Sequence, residues 1–448
     1  MMVEIARDRR GRSGAFLIAA IPAIVAVTAI LAAGWAAAAE PETIVLKAAR
    51  MFDGRGDAVS SPAVVLVKGS RIEDVGRDLA VPAGARVIDL GDATLLPGFI
   101  DAHVHLTGEA SENWFRDFFQ GLMRFPAEQA HYAAFYARKT LQAGFTTVRN
   151  VGADDYLDVG LRNAINAGIV DGPRMLVSVH AIGSTGGHGD GSPIPPDRRA
   201  PRGPLQGICN GADECRTAVR YQIKYGADLI KCMPSGGVLS LSDPLEAPEM
   251  TQEEVSAIVE EAHHWGRKVA AHIHGDEAGR VAIKAGVDSI EHGSFLKPET
   301  LAQMKAKGIY LVPTLLAGET VVAQASKFPP AIAAKGKAAV AARSDMFRNA
   351  VKTGVKIAFG TDSAVSVHGI NAQEFALMVG LRMSPAAALK SATSGDAELL
   401  GLAKEIGTIE KGKSADIIAI PGDPLADIKQ TEKVFFVMKE GKIYRNGR

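Results

Sequence analysis

The residues of this chain best suited to chemistry are six potential metal ligands: His103, His105, Lys231, His272, His292 and Asp362. Each lies at the C-terminal end of a short apolar run that is typical of a β-strand. In a (β/α)8 barrel all strands end at the same face, so residues far apart in the sequence meet in one site. This order and placement is what a pair of catalytic metal ions needs.

Histidines occur twice at a spacing of two residues, as His103 with His105 and as His272 with His274. Alternate residues of a strand point to the same side of the sheet, so both members of a pair can face one site. Imidazole suits zinc and similar metals. We therefore expect metal ligands at the first pair, at His272 and at His292, rather than structural histidines.

Lys231 is unusual in a ligand set, because a protonated amine repels a metal ion and is costly to bury. Burial would lower its pKa and free the amine, which could then react with CO2 to form an anionic carbamate that bridges two metal ions. The alternative is an ammonium group paired with a carboxylate. The surrounding histidines and Asp362 favour the carbamate.

Asp362 follows Gly360 and Thr361 at the predicted end of the last strand. A carboxylate there can bind a metal and transfer a proton, or it can cap the next helical segment. Its position among the other ligands favours the catalytic role.

The elements that must position these residues follow from strand-like runs that alternate with helical stretches after residue 94. This pattern favours a (β/α)8 TIM barrel over an open sheet. The predicted barrel strands are 99–105, 146–151, 175–180, 228–233, 268–273, 288–292, 309–313 and 356–361. The main predicted helices are 212–225, 251–265, which starts with a capping box, 276–285, 371–382 and 384–394.

Both flanks of this stretch carry short strand-like runs without helical periodicity. They are residues 43–47, 63–68 and 86–90 on one side and 414–420 and 433–444 on the other. We expect them to form a small β-sandwich domain built from both chain ends, residues 43–99 and 405–448, beside a barrel domain of residues 100–395.

Composition narrows the class of protein. The chain has 448 residues, 47% of them hydrophobic, with 50 basic and 50 acidic side chains and no basic run in its body. Such a chain can bury a large core, and its balanced charge argues against a nucleic-acid partner. No G-x-G-x-x-G motif follows the first barrel strand, which disfavours dinucleotide binding. A small-molecule substrate and a homo-oligomer are expected.

Residues 1–39 are typical of a secretory signal peptide, with four arginines before residue 13, an uncharged stretch and a terminal Ala-Ala-Ala. They predict a periplasmic or secreted protein. The alternative is an uncleaved membrane anchor, since the stretch is long enough to span a bilayer. An oxidising compartment permits a disulfide between Cys209 and Cys215. Cys232 follows Lys231 in a strand, so it should point away from the site and serve packing.

The motifs around these residues resemble the amidohydrolase superfamily. They are PGFIDAHVH at 97–105, ADLIK at 227–231, HIHG at 272–275, EHG at 291–293, GTDS at 360–363 and GTIEKGKSADI at 407–417. Within the superfamily the chain is most similar to the prolidase and imidazolonepropionase-like branch. That branch includes bacterial Xaa-Pro dipeptidases, enzymes for other dipeptides, and relatives that cleave the amide of ochratoxin.

The resemblance implies two divalent metal ions, for which we expect zinc. His103, His105 and Asp362 would bind one ion, and His272 and His292 the other. Carboxylated Lys231 and a hydroxide would bridge them. The two ions would generate the hydroxide near neutral pH, and Asp362 would carry its proton to the leaving amine.

The resemblance also suggests substrate contacts. In related dipeptidases a histidine after the third strand and the residue two beyond the fifth-strand ligand hold the substrate carboxylate. These positions are His188 and His274 here, although the second is often Tyr in the relatives, so a strict Xaa-Pro preference is not implied. Loop capping by His188 and support of a metal ligand by His274 are the alternatives. Arg149 would bind an anion or pair with Asp101.

The predicted function is therefore an exported, binuclear amidohydrolase for dipeptides or N-acyl amino acids with a free carboxylate. A mononuclear deaminase could use Glu277 but would not need Lys231. A cyclic-amide hydrolase of the imidazolonepropionase type keeps the same ligands, and only export argues against it. A binding protein without catalysis is disfavoured because no ligand is missing.

Overall fold

The computed structural model describes residues 42–447 except 112, 192–193, 199 and 242. The predicted signal peptide, residues 1–39, lies outside the described residues. In the part of the chain that is described, no helix is both long and apolar enough to cross a membrane. Helices and both parallel and antiparallel sheets give a mixed α/β fold.

The strands are numbered in chain order. They are β1 (Thr43–Ala48), β2 (Arg50–Met51), β3 (Ala63–Lys68), β4 (Arg71–Gly76), β5 (Arg86–Asp89), β6 (Ala93–Pro97), β7 (Phe99–Val104), β8 (Phe145–Asn150), β9 (Arg174–Val177), β10 (Leu229–Cys232), β11 (Lys268–Ile273), β12 (Ser289–His292), β13 (Tyr310–Val312), β14 (Lys356–Ile357), β15 (Ile417–Pro421), β16 (Phe436–Lys439) and β17 (Lys442–Asn446).

The helices are numbered in the same way. They are α1 (Trp114–Met123), α2 (Pro126–Gln142), α3 (Leu157–Asn166), α4 (Ala212–Lys224), α5 (Gln252–His264), α6 (Asp276–Ala285), α7 (Pro298–Lys307), α8 (Leu315–Ala323), α9 (Pro330–Thr353), α10 (Gln373–Gly380), α11 (Pro385–Lys390) and α12 (Asp396–Leu399).

Strands β7 to β14 are parallel and lie beside one another in chain order, as one sheet of β7–β9 and another of β10–β14. Backbone hydrogen bonds connect the two sheets. Asp228 N–H donates to the Val177 carbonyl (2.7 Å), and Ala102 N–H in β7 donates to the Phe359 carbonyl beyond β14 (2.8 Å). The carboxyl ends of all eight strands therefore lie at the same edge.

Burial explains why these segments form parallel strands. Every residue of β7, β8 and β12 is buried, as expected for strands that are covered on both faces. The helices between them are amphipathic; α6 buries Ala278, Ala282 and Ile283, which lie on one helical face. The capping box predicted at the start of α5 is confirmed, since Thr251 and Glu254 cap each other's backbone N–H groups.

Strands from both flanks of the described chain share one sheet, in the order β17-β16-β15-β6-β2. In it β15 pairs antiparallel with β6, so that Ile417 lies opposite Pro97. A second sheet has the order β4-β3-β1-β5. Leu46 of this sheet and Leu95 and Phe436 of the other belong to the same buried apolar cluster, so the two sheets share a core.

The structure corrects some predicted elements. The eighth strand, predicted at 356–361, pairs with β13 only at Lys356 and Ile357, and Ala358 N–H still donates to the Leu311 carbonyl of β13. From Phe359 onwards the chain hydrogen-bonds to β7 instead. Strands β2, β4 and β6 were not predicted; β4 carries charged residues that mask its alternation. The helix predicted at 384–394 ends at Lys390 and continues as a π-helical turn to Gly395.

Cys209 and Cys215 form a disulfide, which confirms the favoured pairing. It joins the segment before α4 to the first turns of that helix. Cys232 is a free thiol that is buried in the main core, and burial raises its pKa to about 12. It is therefore a packing residue, as expected.

We predict that the unfolded, unreduced protein exposes one reactive thiol per chain and that reduction raises this to three. A loop of this length should contribute about 2 kcal/mol to stability, so Cys209→Ser/Cys215→Ser should also lower the thermal midpoint. Thiol titration in denaturant before and after reduction checks the count. Three reactive thiols in protein from an oxidising compartment would contradict the pairing.

Candidate metal centre

One group of potential ligands is formed by His103, His105 and Asp362, whose ligand atoms all lie within 4.8 Å of one another. Asp362 Oδ1 is 3.5 Å from His103 Nε2 and 3.3 Å from His105 Nε2. β7 carries the histidine pair to the carboxyl edge. Asp362 reaches the same point because its N–H donates to the His103 carbonyl (2.7 Å).

Both histidines of this group are oriented through their other ring nitrogen. His103 Nδ1 is 2.7 Å from Glu291 Oε2, and His105 Nδ1 is 3.1 Å from the Gly152 carbonyl. Each contact fixes the ring and directs Nε2 towards Asp362, as partners of metal-binding histidines usually do. The donor set of two imidazoles and one carboxylate suits zinc.

Glu291 is held in turn by a buried cation. Arg149 Nη2 is 2.8 Å from Glu291 Oε1, and both side chains are almost completely buried. Burial alone would raise the pKa of Glu291, but Arg149 and His103 lower it to about 2. The carboxylate therefore stays charged and keeps the His103 ring in place.

Arg149 was predicted to bind an anion of the substrate or to pair with Asp101, and the structure contradicts both. Its guanidinium is used by Glu291, by Ser289 (3.0 Å) and by the Ala102 carbonyl, and it does not line the cavity. Asp101 instead accepts hydrogen bonds from the Thr361 hydroxyl (2.6 Å) and from the Asn371 amide (2.8 Å).

A second group is formed by His272, His274 and His292 at the ends of β11 and β12. His292 Nε2 faces His272 Nδ1 at 3.0 Å, and His292 Nδ1 is 2.6 Å from the Thr314 hydroxyl. His274 was predicted only as a substrate contact; the structure brings it beside the two predicted ligands. Their ring nitrogens lie within hydrogen-bond distance of each other, and imidazoles gathered in this way are ligands that suit zinc and similar metals.

Burial keeps these imidazoles neutral. It lowers the pKa of His272 and His292 well below the usual value, and neighbouring imidazoles add to the effect. It lowers the pKa of His274 to about 3. Neutral imidazole is the form that binds a metal ion, so these side chains need not lose a proton at neutral pH.

Lys231 and Asp362 differ in how burial acts on them. Burial lowers the pKa of the Lys231 amine, and among the described residues no carboxylate lies within ion-pair distance of it. Burial would raise the pKa of Asp362, but His103 and His105 lower it well below its usual value. Asp362 is thus a carboxylate at neutral pH, whereas burial shifts Lys231 towards the free amine.

Three residues at this edge have backbone angles that are rare for residues other than glycine. The φ angles are 68° at His292, 46° at Thr314 and 56° at Asp362. Such a conformation costs about 1–3 kcal/mol and is found most often at functional sites. It ends the alternation of the strand and re-aims the side chain, which sequence periodicity alone does not predict.

The two groups line one cavity of about 260 Å³, together with Lys231 and His188. The His188 ring centre is 4.5 Å from that of His272. His188 Nδ1 is 2.8 Å from the Ser240 hydroxyl, and its N–H donates to Glu249 (2.8 Å). Both predicted carboxylate contacts, His188 and His274, therefore reach the cavity.

The partners that orient the histidines were not predicted as site residues. Glu291, Thr314 and Ser294 orient His103, His292 and His274. Only Glu291 had a sequence signal, as a charge directly before a predicted ligand within the EHG motif. Glu277, the base of the alternative deaminase, is exposed on α6 and does not line the cavity.

Comparisons with known proteins agree with this geometry. The model of the amidohydrolase family matches residues 94–444. Ochratoxinase of Aspergillus niger is 33% identical over 429 residues, which cover 91% of this chain and 87% of that protein. Imidazolonepropionase of Pseudomonas putida is 26% identical and covers 85% of this chain and 92% of its own length.

Solved structures are similar over the same region. A Xaa-Pro dipeptidase crystallised with methionine in its active site is 40% identical, with a TM-score of 0.85 over 90% of this chain and 100% of that one. The crystal structure of the A. niger ochratoxinase is 31% identical, with a TM-score of 0.79 over 91% of this chain and 96% of that one.

We predict that Glu291→Gln weakens metal binding about 10–100-fold, because His103 loses its charged partner and the buried Arg149 loses its counter-charge. Competition of the purified variant with a chelator measures the affinity. Ser289→Ala is the matched control, since it removes a neutral hydroxyl that contacts both Arg149 and Glu291 but leaves the ion pair and the contact of Glu291 with His103. A folded Glu291→Gln protein with unchanged affinity would show that the contact does not matter.

Proposed function

The chain belongs to the amidohydrolase family and is a metal-dependent hydrolase of amide C–N bonds; on this basis we propose that it cleaves dipeptides or N-acyl amino acids that carry a free carboxylate. The observation that carries the proposal is the pair of ligand groups on one cavity, with the buried Lys231 beside them.

The proposal includes a fold in which β7–β14 close into a (β/α)8 barrel over residues 100–395. The hydrogen bond between Ala102 and Phe359, which joins the first strand to the segment after the last, supports closure. Residues 43–99 and 405–448 would form the β-sandwich. The pairing of β6 with β15 and the core shared by the two flanking sheets support that part.

We propose that His103, His105 and Asp362 hold one divalent ion, that His272 and His292 hold a second, and that carboxylated Lys231 serves both. Zinc is proposed because the donors are mostly imidazoles. When bound, such ions polarise a carbonyl group and lower the pKa of a bound water. Neutral histidines are the form that this role requires, and burial shifts Lys231 towards the free amine from which a carbamate forms.

The side chains supply proton transfer and substrate binding. Asp362, ionised at neutral pH, can accept a proton from the attacking water and deliver it to the leaving amine. His188 and His274 would hold the substrate carboxylate. The Ser294 hydroxyl lies 2.9 Å from His274 Nδ1, so when it donates there, His274 Nε2–H is left to donate to a carboxylate.

We further propose export through residues 1–39 and a periplasmic or secreted location; the Cys209–Cys215 disulfide fits an oxidising compartment. A homo-oligomer is also proposed. Hydrolysis of a cyclic amide remains the second candidate because imidazolonepropionase is among the relatives and would use the same ligands. A screen of dipeptides, N-acyl amino acids and cyclic amides separates the two.

We predict that Lys231→Ala loses bound metal and amide cleavage together, by at least about a hundredfold in kcat/KM, because the shared ligand is gone. Elemental analysis and the substrate screen measure the two effects. Adding a short carboxylic acid should restore part of the activity by supplying an anionic oxygen ligand. An active, metal-free Lys231→Ala protein would contradict the mechanism.

We predict that Asp362→Asn retains at least one metal ion but loses turnover, by about 10²–10⁴-fold in kcat, because the amide cannot carry the proton. Metal content and kcat are measured on the same preparation. Asp155→Asn, a substitution at an exposed aspartate outside the cavity, is the control. Turnover near the wild-type level in Asp362→Asn would remove it from the catalytic role.

A further inference from the structure

One side of the cavity is built from the facing sides of two helices, α8 and α9. We call this surface the apolar wall. It consists of Ala317, Gly318 and Val321 of α8 with Gly336, Ala339 and Val340 of α9. These residues recur at spacings of one, three and four, so each set lies on a single helical face. The metal-ligand residues line the same cavity.

The apolar wall is closely packed. A Cβ atom at Gly336 would come within 2.5 Å of Val321, and one at Gly318 would come within 3.0 Å of Val340. The two helices therefore meet at glycines and cannot approach further. Small residues such as Ala339 leave space on the cavity side. The size of the side chains on the wall therefore sets how much room the cavity has next to it.

One charged side chain, that of Arg343, lines the cavity beside the wall, and its guanidinium is already paired. Arg343 is 95% buried and donates to Glu319 (2.6 Å) and to the Leu315 carbonyl. Its Nε has no partner among the described residues but is shielded from solvent. Two of its nitrogens are held by Glu319 and Leu315 and the third is shielded, so the guanidinium is not free to pair with a ligand. The wall residues themselves are uncharged, and an acidic or basic group placed against them would be desolvated without compensation.

The polar contacts of the cavity belong to other elements. His188 lies in the loop after β9, and His274 follows β11. Under the proposed function these two residues hold the carboxylate of the leaving amino acid. The acyl side of the scissile amide then faces the apolar lining of the cavity. The apolar wall contributes six residues to this lining, and other elements contribute Met233, Val238, Leu239, Pro313 and Val365.

We infer that the apolar wall receives the acyl part of the substrate and selects uncharged, apolar acyl groups of moderate size. This inference rests on the proposed function. The cavity of about 260 Å³ lies just below the usual range for ligand pockets, about 300–1,000 Å³. Since this volume must also hold the metal centre and the leaving residue, it leaves room for an acyl side chain of about the size of leucine or methionine, and large multi-ring acyl groups exceed it.

The test uses the metal-loaded full protein and two sets of dipeptides, one varied in the acyl residue and one in the leaving residue. We expect kcat/KM to rise about tenfold from an alanyl to a leucyl or methionyl residue, and to fall at least tenfold for aspartyl and lysyl residues. A preference that lies in the leaving residue, or equal cleavage of apolar and charged acyl groups, would overturn the inference.

Substitutions in the apolar wall test whether the preference for apolar acyl groups arises there. Ala339→Leu should lower kcat/KM for leucyl and methionyl substrates about tenfold or more while changing alanyl substrates less than about threefold. Ala338→Leu is the matched control, because Ala338 is exposed on the same helix and outside the cavity. Val340→Ala covers the case in which Ala339→Leu does not fold, and should reduce the advantage of leucyl over alanyl substrates. An equal loss for all acyl groups at unchanged metal content would also overturn the inference.

A direct binding measurement separates failure of this inference from failure of the proposed function. If the metal-loaded wild type cleaves no amide, the proposed function fails. Calorimetric binding of hexanoate and succinate then still tests the wall. We expect the wild type to bind hexanoate at least tenfold more tightly than succinate. Ala339→Leu should lose this difference, and the control Ala338→Leu should keep it. Equal binding of the two acids would overturn the inference on its own.

Discussion

The buried ion pair between Arg149 and Glu291 is the interaction on which the rest of the site depends. Taking two charges out of water is costly, and the cost is offset only when geometry and additional hydrogen bonds are good. Here the pair is 2.8 Å long and Glu291 also contacts His103. Arg149 of β8 and Glu291 of β12 thus hold His103, which β7 carries. This contact sets the direction in which His103 Nε2 points.

Much of the site follows from the sequence because ligand type and strand position are local properties. His103 and His105 share a side through the alternation of a strand, and His272 and His292 end apolar runs. What the sequence does not reveal depends on contacts across the fold. The partner of Arg149 is Glu291 because of how the parallel strands are arranged around their interior, and no pattern near Arg149 specifies it.

The same distinction applies to the fold. Strands Ala63–Lys68 and Lys268–Ile273 and helix Asp276–Ala285 match their predicted bounds because their apolar patterns are clear. The last parallel strand is shorter than predicted, since its hydrogen bonds pass from β13 to β7 after Ala358. The left-handed conformations at His292 and Asp362 are likewise imposed by tertiary contacts, and they turn ligands towards the cavity against simple alternation.

Family membership accounts for the chemistry, whereas the cavity accounts for which substrates can use it, since one scaffold can host many substrates. Its polar end combines neutral imidazoles with an ionised aspartate, and its other side is the apolar wall of α8 and α9. A substrate that has a carboxylate at one end and an apolar acyl group at the other matches this division.

Metal content measured together with amide cleavage tests the central claim most directly. The account predicts about two divalent ions per chain, loss of cleavage when a chelator removes them, and recovery when zinc is returned. Full cleavage by protein that carries one ion or none would contradict a binuclear centre at the two ligand groups.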